Sequence, residues 1–297
     1  MSLLVSVRWN VYFCTKYYPM KRSHTTNPRA NVLSRILHPT SMKLYPGYEG
    51  LADFMRSLPA AFERGEGQLI HDGRNQLRVL CHEGVEYVVK SYQVPILLNR
   101  LVYGFLRPSK AERSLLDAQR LIDMGVGSPL PVGFINIRNG LLFTHSYMVT
   151  VRSRCPYRYD MLLKQQFDCA EQLCREVGRC TAVMHEHGMY NMDYNPSNIL
   201  FDVTPRPRLE GTRYVSDSLK DVKVNLELVD LNRIRMGHVD MHKGCFNLRY
   251  LPANAGMHRC MAEEYARVRG FDPEECYRLI RDTRLQHPEA VDWEKQP

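Results

Sequence analysis

The stretch YNMDYNPSNILF, residues 190–201, decides how this chain is read. It sets one Asp, three Asn, a Pro and a Ser directly against the strand-like run Ile199-Leu200-Phe201. Asp, Asn and Ser bond their own backbone and favour turns, while Pro196 removes a donor and forbids an ordinary helix. A surface turn between a helix and a strand satisfies this pattern. So does a loop that holds the Asp193 carboxylate and the Asn198 amide at a fixed separation for chemistry. The neighbouring elements decide between them.

Upstream, residues 51–65 read as a short helix with a Leu/Phe face. QLIHDGRNQLRVLCHEGVEYVVKSY, residues 68–92, carries three β-like runs at 68–71, 76–81 and 85–92. HDGRN and HEG are the turns, so an antiparallel meander is expected, with Lys90 near the end of its third strand. RPSKAERSLLDAQRLIDMG, residues 107–125, reads as a helix. Pro108 and Ser109 start it, Ser109 with Glu112 has capping-box spacing, and Gly125 ends it. Two strands follow, turning at 139–140. A second helix spans 168–187, with Asp168 and Glu171 spaced as a cap and Gly188 closing it. VNLELVDLNRIRM, 224–236, reads as a strand bearing Asp230 at its end, and 247–282 reads as mostly helical. This order predicts an α+β, two-lobed chain: a sheet-rich lobe over 42–148, joined through 146–153 to a helical lobe over 149–297.

The composition, 44% hydrophobic and 24% charged, is that of a globular chain. No apolar run approaches the roughly 20 residues of a membrane-spanning helix. The net charge of +8 is concentrated at the start: residues 1–48 hold seven Lys or Arg and no acid, leaving about +1 for the remainder. The charge therefore argues for no nucleic-acid partner of the folded body. Residues 1–41 lack lasting periodicity and read as a disordered extension or a misassigned start, with regular patterning from Met42. Nine cysteines without a CxxC pair fit reduced thiols. His185 and His187, two apart, fall on different sides of a helix and make a poor metal pair. Cys169, Cys174 and Cys180 fit core packing.

Lys90 on a strand, Asp193 with Asn198 after a helix, and Asp230 after the next strand pair match what phosphoryl transfer from ATP requires. A cation holds phosphates, a carboxylate orients the attacking hydroxyl, and hard oxygens hold Mg2+. The five-residue interval from Asp193 to Asn198, with VVKSY before it and LVDLN after it, resembles the protein-kinase-like superfamily. A narrower resemblance extends from Met42 onward. MKLYPGYEGLADF, DGRN, VVKSYQVPILLNRLVYGFLRPSKAERS, GVGSPLPVGF, MDYNPSNILF, VDLNRIRMG and YARVRGFD look like the bacterial lipopolysaccharide kinase family.

That resemblance implies a two-lobed protein-kinase-like fold and phosphorylation of a Kdo or heptose hydroxyl in the lipopolysaccharide inner core. It implies Mg-ATP as donor, a lipid-linked sugar acceptor and work in the cytoplasm, peripheral to the inner membrane. By residue it implies Asp193 as catalytic, Asn198 and Asp230 as Mg2+ ligands, and Lys90 on the α/β-phosphates. Leu200 and residues 147–149 would border the adenine pocket. A kinase for a protein or small-molecule hydroxyl, and a catalytically silent nucleotide-binding scaffold, are the rival readings. The oligomeric state stays open.

Several positions depart from the family pattern. No G-x-G-x-x-G covers the phosphates, so Gly73, Arg74 and Asn75 of the turn would serve. Asn191 stands where the family carries His. Glu112 is a candidate partner of Lys90 but equally a cap residue, and the family acid would fall near Ser114, with Asp117 a turn further on. Residues 202–223 form an exposed excursion or, alternatively, a substrate loop. The basic and aromatic segment 92–110, with Arg100, Arg107 and Lys110, packs on the small lobe or faces anionic lipid or acceptor.

Overall fold

The computed structural model describes residues 40–92, 108–139 and 142–285. The extension before residue 40, most of the basic segment 92–110 and part of the 139–140 turn lie outside the described residues.

The first half builds one antiparallel sheet from β1 (Thr40–Leu44), β2 (Gln68–Asp72), β3 (Gln76–His82), β4 (Val85–Tyr92), β5 (Pro131–Asn139) and β6 (Leu142–Val151). Their order across the sheet is β1-β5-β6-β4-β3-β2. The expected meander is therefore present, and β1 begins two residues before Met42. Alternation of side chains along β4 sorts its residues between two helices. Tyr87 and Val89 face α1 (Ala52–Glu63), packing with Met55 and Leu58. Lys90 and Tyr92 take the opposite face, where Tyr92 packs with Ala111 and Leu115 of α2 (Lys110–Asp123).

The start of α2 follows its sequence. Ser109 Oγ accepts a hydrogen bond from the Glu112 backbone N–H at 3.1 Å, and Gly125 takes φ +74° just past the C-terminus. Ala118 and Leu121, further along α2, belong to the core of the other lobe. One helix thus carries apolar residues into both cores.

The helical lobe gathers around α3 (Ala170–Glu186), α4 (Met241–Leu248), α5 (Ala255–Arg269) and α6 (Pro273–Leu285). Leu173, Val177 and Met184 of α3 pack with Met261 and Tyr265 of α5 and Ile280 of α6. The α3–α5 crossing is close because of Gly178, where a Cβ would meet the Met261 carbonyl oxygen at 2.4 Å. Asp168 does not cap α3 as its spacing predicts. Its carboxylate accepts from the Ser216 N–H at 2.6 Å and the Ser216 hydroxyl at 2.9 Å, drawing in the 202–223 excursion.

The short strands β7 (Tyr157–Arg158), β8 (Gln166–Phe167), β9 (Met189–Asn191), β10 (Ile199–Thr204), β11 (Arg208–Glu210), β12 (Arg213–Val215), β13 (Lys223–Leu228) and β14 (Ile234–Met236) complete this lobe. Strand β13 pairs with β10 in the register Ile199↔Leu228, and β14 pairs with β9 in the register Ile234↔Asn191. The run 224–236 is therefore two strands rather than one, broken at Asp230.

Candidate functional site

Those two pairings fix the distances that matter. The 190–201 stretch runs from β9 through the loop into β10, and β13 and β14 flank it. The Val229 N–H donates to the Asn198 carbonyl at 3.0 Å, and the Met192 N–H donates to the Arg233 carbonyl at 3.1 Å. Asp193 and Asp230 thus sit on adjoining loops locked to each other on both sides.

Within the loop the polar residues serve one another. Asn191 Oδ1 accepts from the Asp193 N–H at 2.9 Å, and Asn198 Nδ2 donates to the Asp193 carbonyl at 3.1 Å. Asn195 Nδ2 donates to Asp193 Oδ1 at 2.6 Å. Tyr194, fully buried, anchors the loop to α3 through its hydroxyl, 2.7 Å from Thr181 Oγ1. Asn191 therefore shapes the backbone beneath Asp193.

A hydrogen-bonded chain extends this support into the core. Asn247 Nδ2 donates to the Asn191 carbonyl at 2.9 Å, and Asn247 Oδ1 lies 3.1 Å from His185 Nε2. An amide oxygen only accepts, so Nε2 carries the proton and Nδ1 accepts from the Tyr265 hydroxyl at 2.9 Å. His185 is thus a core residue buttressing the loop. His187 is exposed and bonds the Val183 carbonyl.

Burial pushes the His185 imidazole down from 6.5 to about 3. The unfolded chain then takes up the extra proton. Stability is fully present above about pH 6.5 and is lost as pH falls toward 3, by at most about 1.4 kcal/mol per pH unit. Melting temperature measured against pH should fall over this window, and His185→Gln should flatten the slope.

Lys90 reaches across the lobe junction. Its amine, in a residue only 5% exposed, lies 2.6 Å from Asp230 Oδ1. Asp230 adopts φ 55° and ψ 55°, a left-handed conformation that Asp tolerates better than most residues. Asn232 Nδ2 also donates to the same carboxylate. Arg233 Nε stands 3.9 Å from Asp193 Oδ2, so the two acids are each matched by a base. Lys90, Asp193, Asn198 and Asp230, scattered through the chain, form one connected cluster.

The β-rich lobe and the helical lobe that α2 bridges match a solved structure in fold. WaaP, in complex with acyl carrier protein, superposes with a TM-score of 0.56 at 16% identity, covering 85% of this chain and 100% of that one. The chain has the two-lobed protein-kinase-like fold. Two weaker similarities add nothing to the assignment of this kinase-like fold. One is to the Rio2 kinase–ADP/Mg2+–phosphoaspartate complex from Chaetomium thermophilum, with a TM-score of 0.43 at 12% identity, covering 84% of this chain and 74% of that one. The other is to the bifunctional kinase-methyltransferase WbdD, with a TM-score of 0.39 at 14% identity, covering 86% of this chain and 48% of that one. No protein-family model and no curated protein matches the sequence.

The remaining candidates fall around the cluster in different ways. Gly73, Arg74 and Asn75 form the β2–β3 turn, closed by Gln76 Nε2 donating to Asp72 Oδ1 at 3.1 Å. Glu112 takes its place in the first turn of α2, and the ion pair of Lys90 is with Asp230. Ser114 accepts from the Tyr92 hydroxyl at 3.1 Å. Asp117 pairs instead with Arg120 at 2.8 Å, its carboxyl raised by burial. Tyr147 and Val149 turn into the core under α1, whereas Met148 Sδ lies 3.6 Å from the Tyr92 hydroxyl on the other face. Of the expected lining 147–149, alternation along β6 leaves Met148, paired opposite Lys90, on that other face.

Sequence reasoning missed the bonding roles of Asn232, Arg233, His185 and Asn247. The first two lie inside the quoted VDLNRIRMG motif. Asn247 carries no local signal, because its partners are supplied by tertiary packing.

Proposed function

We propose that this protein is an ATP-dependent kinase that phosphorylates a Kdo or heptose hydroxyl of the lipopolysaccharide inner core. The observation that carries this reading is the 2.6 Å contact between Lys90 and Asp230, tied through the paired loops to Asp193 and Asn198. The motif resemblance supplies the acceptor class.

The donor set fits a hard cation. Among the described residues no three His, Cys, Asp or Glu side chains gather as a metal cluster. Mg2+ requires only one or two protein oxygens when phosphates and water supply the rest. Asn198 spends its amide N–H on the Asp193 carbonyl, which leaves Oδ1 as its acceptor, and the Asp230 side chain is 32% exposed. Asn198 and Asp230 would hold the metal, and Lys90 would transfer its charge from Asp230 to the phosphates. Bound Mg-ATP supplies the transferable phosphoryl group and neutralises its charge.

Asp193, fixed by Asn195 and by its own N–H, orients the acceptor hydroxyl and accepts its proton. Arg233 stands beside that carboxylate, its Nε 3.9 Å from Oδ2. The division into lobes at 42–148 and 149–297, and action at the cytoplasmic membrane face, belong to the same proposal. No described helix is long and apolar enough to cross a membrane.

Mass analysis of lipid-linked core sugars tests it. Cells lacking the gene should lose one phosphate from the core, and wild-type protein but not Asp193→Asn should restore it. Unchanged core phosphate would contradict the reading and favour another acceptor.

A further inference from the structure

A protein kinase pairs its strand lysine with an acid of this helix, but here Lys90 pairs with Asp230, and the first turn of α2 carries Lys110 and Arg113 on either side of Glu112. Lys110 and Ser114 are one helical turn apart on the same face, and Ser114 Oγ is bonded to the Tyr92 hydroxyl at 3.1 Å. Tyr92 follows Lys90 by two residues on one face of β4, with the Lys90 amine 5.4 Å from the Tyr92 ring. The start of α2 therefore stands beside Lys90.

Arg113 adds a second base there, and its buried Nε has no hydrogen-bond partner. The helix also packs on the 231–233 turn, which carries Arg233 beside Asp193. Arg74 projects from the β2–β3 turn, just beyond the Leu77↔Lys90 pairing. Burial lowers the Lys110 pKa, and Arg74, Arg113, Lys90 and Arg233 lower it further by repulsion. Lys110 therefore stands among four other cations at this junction. The carboxylates paired with them are Asp230, on Lys90, and Asp193, on Arg233, and Glu112 lies in the same first turn of α2. Lys110, at the described end of a segment read as packing on the small lobe or facing anionic lipid or acceptor, sits at the lobe junction.

We propose that Lys110 and Arg113, with Arg74 and Arg233, form an anion subsite for a phosphate group between Lys90 and Asp193. This rests on the kinase reading and adds Lys110 and Arg113, which that reading does not assign. The phosphate is either the terminal group of the nucleotide or one already borne by the acceptor. A cluster of guanidinium and ammonium donors gives a phosphate charge-assisted hydrogen bonds, each about twice as strong as a neutral one. It also lowers the repulsion that crowds Lys110.

Calorimetric titration of wild type, Lys110→Ala/Arg113→Ala and the milder Lys110→Met decides the matter, with melting curves confirming that each variant folds. Titrants are Mg-ATP, Mg-AMP, inorganic phosphate on ADP-saturated protein, and inorganic phosphate alone. A roughly tenfold to hundredfold loss of ATP affinity with AMP unchanged supports the subsite and assigns it to the donor. Unchanged ATP affinity with lost phosphate binding to the ADP complex supports it and assigns it to the acceptor. Identical titrations for wild type and the folded variants overturn it. Wild-type protein that binds no ATP, yet binds phosphate in a Lys110-dependent way, retains the subsite and removes the kinase reading.

Discussion

Asp193→Asn is expected to lower turnover by about 10²–10⁴-fold while nucleotide affinity stays within a few-fold of wild type. The asymmetry follows from the local geometry. Asp193 Oδ1 accepts from Asn195 Nδ2, and an Asn side chain retains an oxygen for that bond. The loop is also held by backbone contacts that the substitution leaves alone, from Asp193 N–H to Asn191 and from Asn198 to the Asp193 carbonyl. What disappears is the negative charge facing Arg233 and the capacity to take a proton. Single-turnover rates and nucleotide binding measured on one preparation check this. A variant that keeps more than a fifth of wild-type turnover would exclude Asp193 as the catalytic carboxylate.

The second large effect is expected at Lys90. Lys90→Met retains the buried aliphatic stem and removes the charge, so nucleotide affinity should fall roughly tenfold to a hundredfold. Folding should suffer far less. The partner, Asp230, keeps its hydrogen bond from Asn232 and is accessible to water, so it is not stranded as a buried charge. Titration of nucleotide beside thermal melting separates the two effects. A large drop in melting temperature with unaltered nucleotide affinity would make Lys90 a structural residue.

The legible part of this fold was the part written in local chemistry. The three strands between residues 68 and 92 were readable because β-branched runs alternate with Gly-containing turns. The start of α2 was readable because Ser109 and Glu112 have cap spacing and Gly125 follows. The Asp168–Glu171 spacing misled, since a tertiary partner, Ser216, outcompeted the helix N-terminus for the Asp168 carboxylate. The strand end at Asp230 was readable, whereas the separate strand Ile234–Met236 after it was not, because a left-handed Asp has no periodicity signature.

At the site, the convergence of Lys90, Asp193, Asn198 and Asp230 was readable from order and interval. Their supports were not. The chain from Asn191 through Asn247 and His185 to Tyr265 joins α3, α4 and α5, elements whose mutual placement only packing sets. The partner of Lys90 was likewise open, and the structure gives it to Asp230 rather than to α2. Lys110 and Arg113 of α2, on either side of Glu112, carry charge opposite to that of the acid expected from this helix.

That Lys90, Asn198 and Asp230 belong to one metal–nucleotide site is best tested by Mn2+ binding, followed by electron paramagnetic resonance with and without ATP. Wild-type protein should bind Mn2+ far more tightly when ATP is present, and Asp230→Asn and Asn198→Ala should each weaken that binding about tenfold or more. Mn2+ binding that ignores ATP, or that is identical in all three proteins, would contradict the shared site.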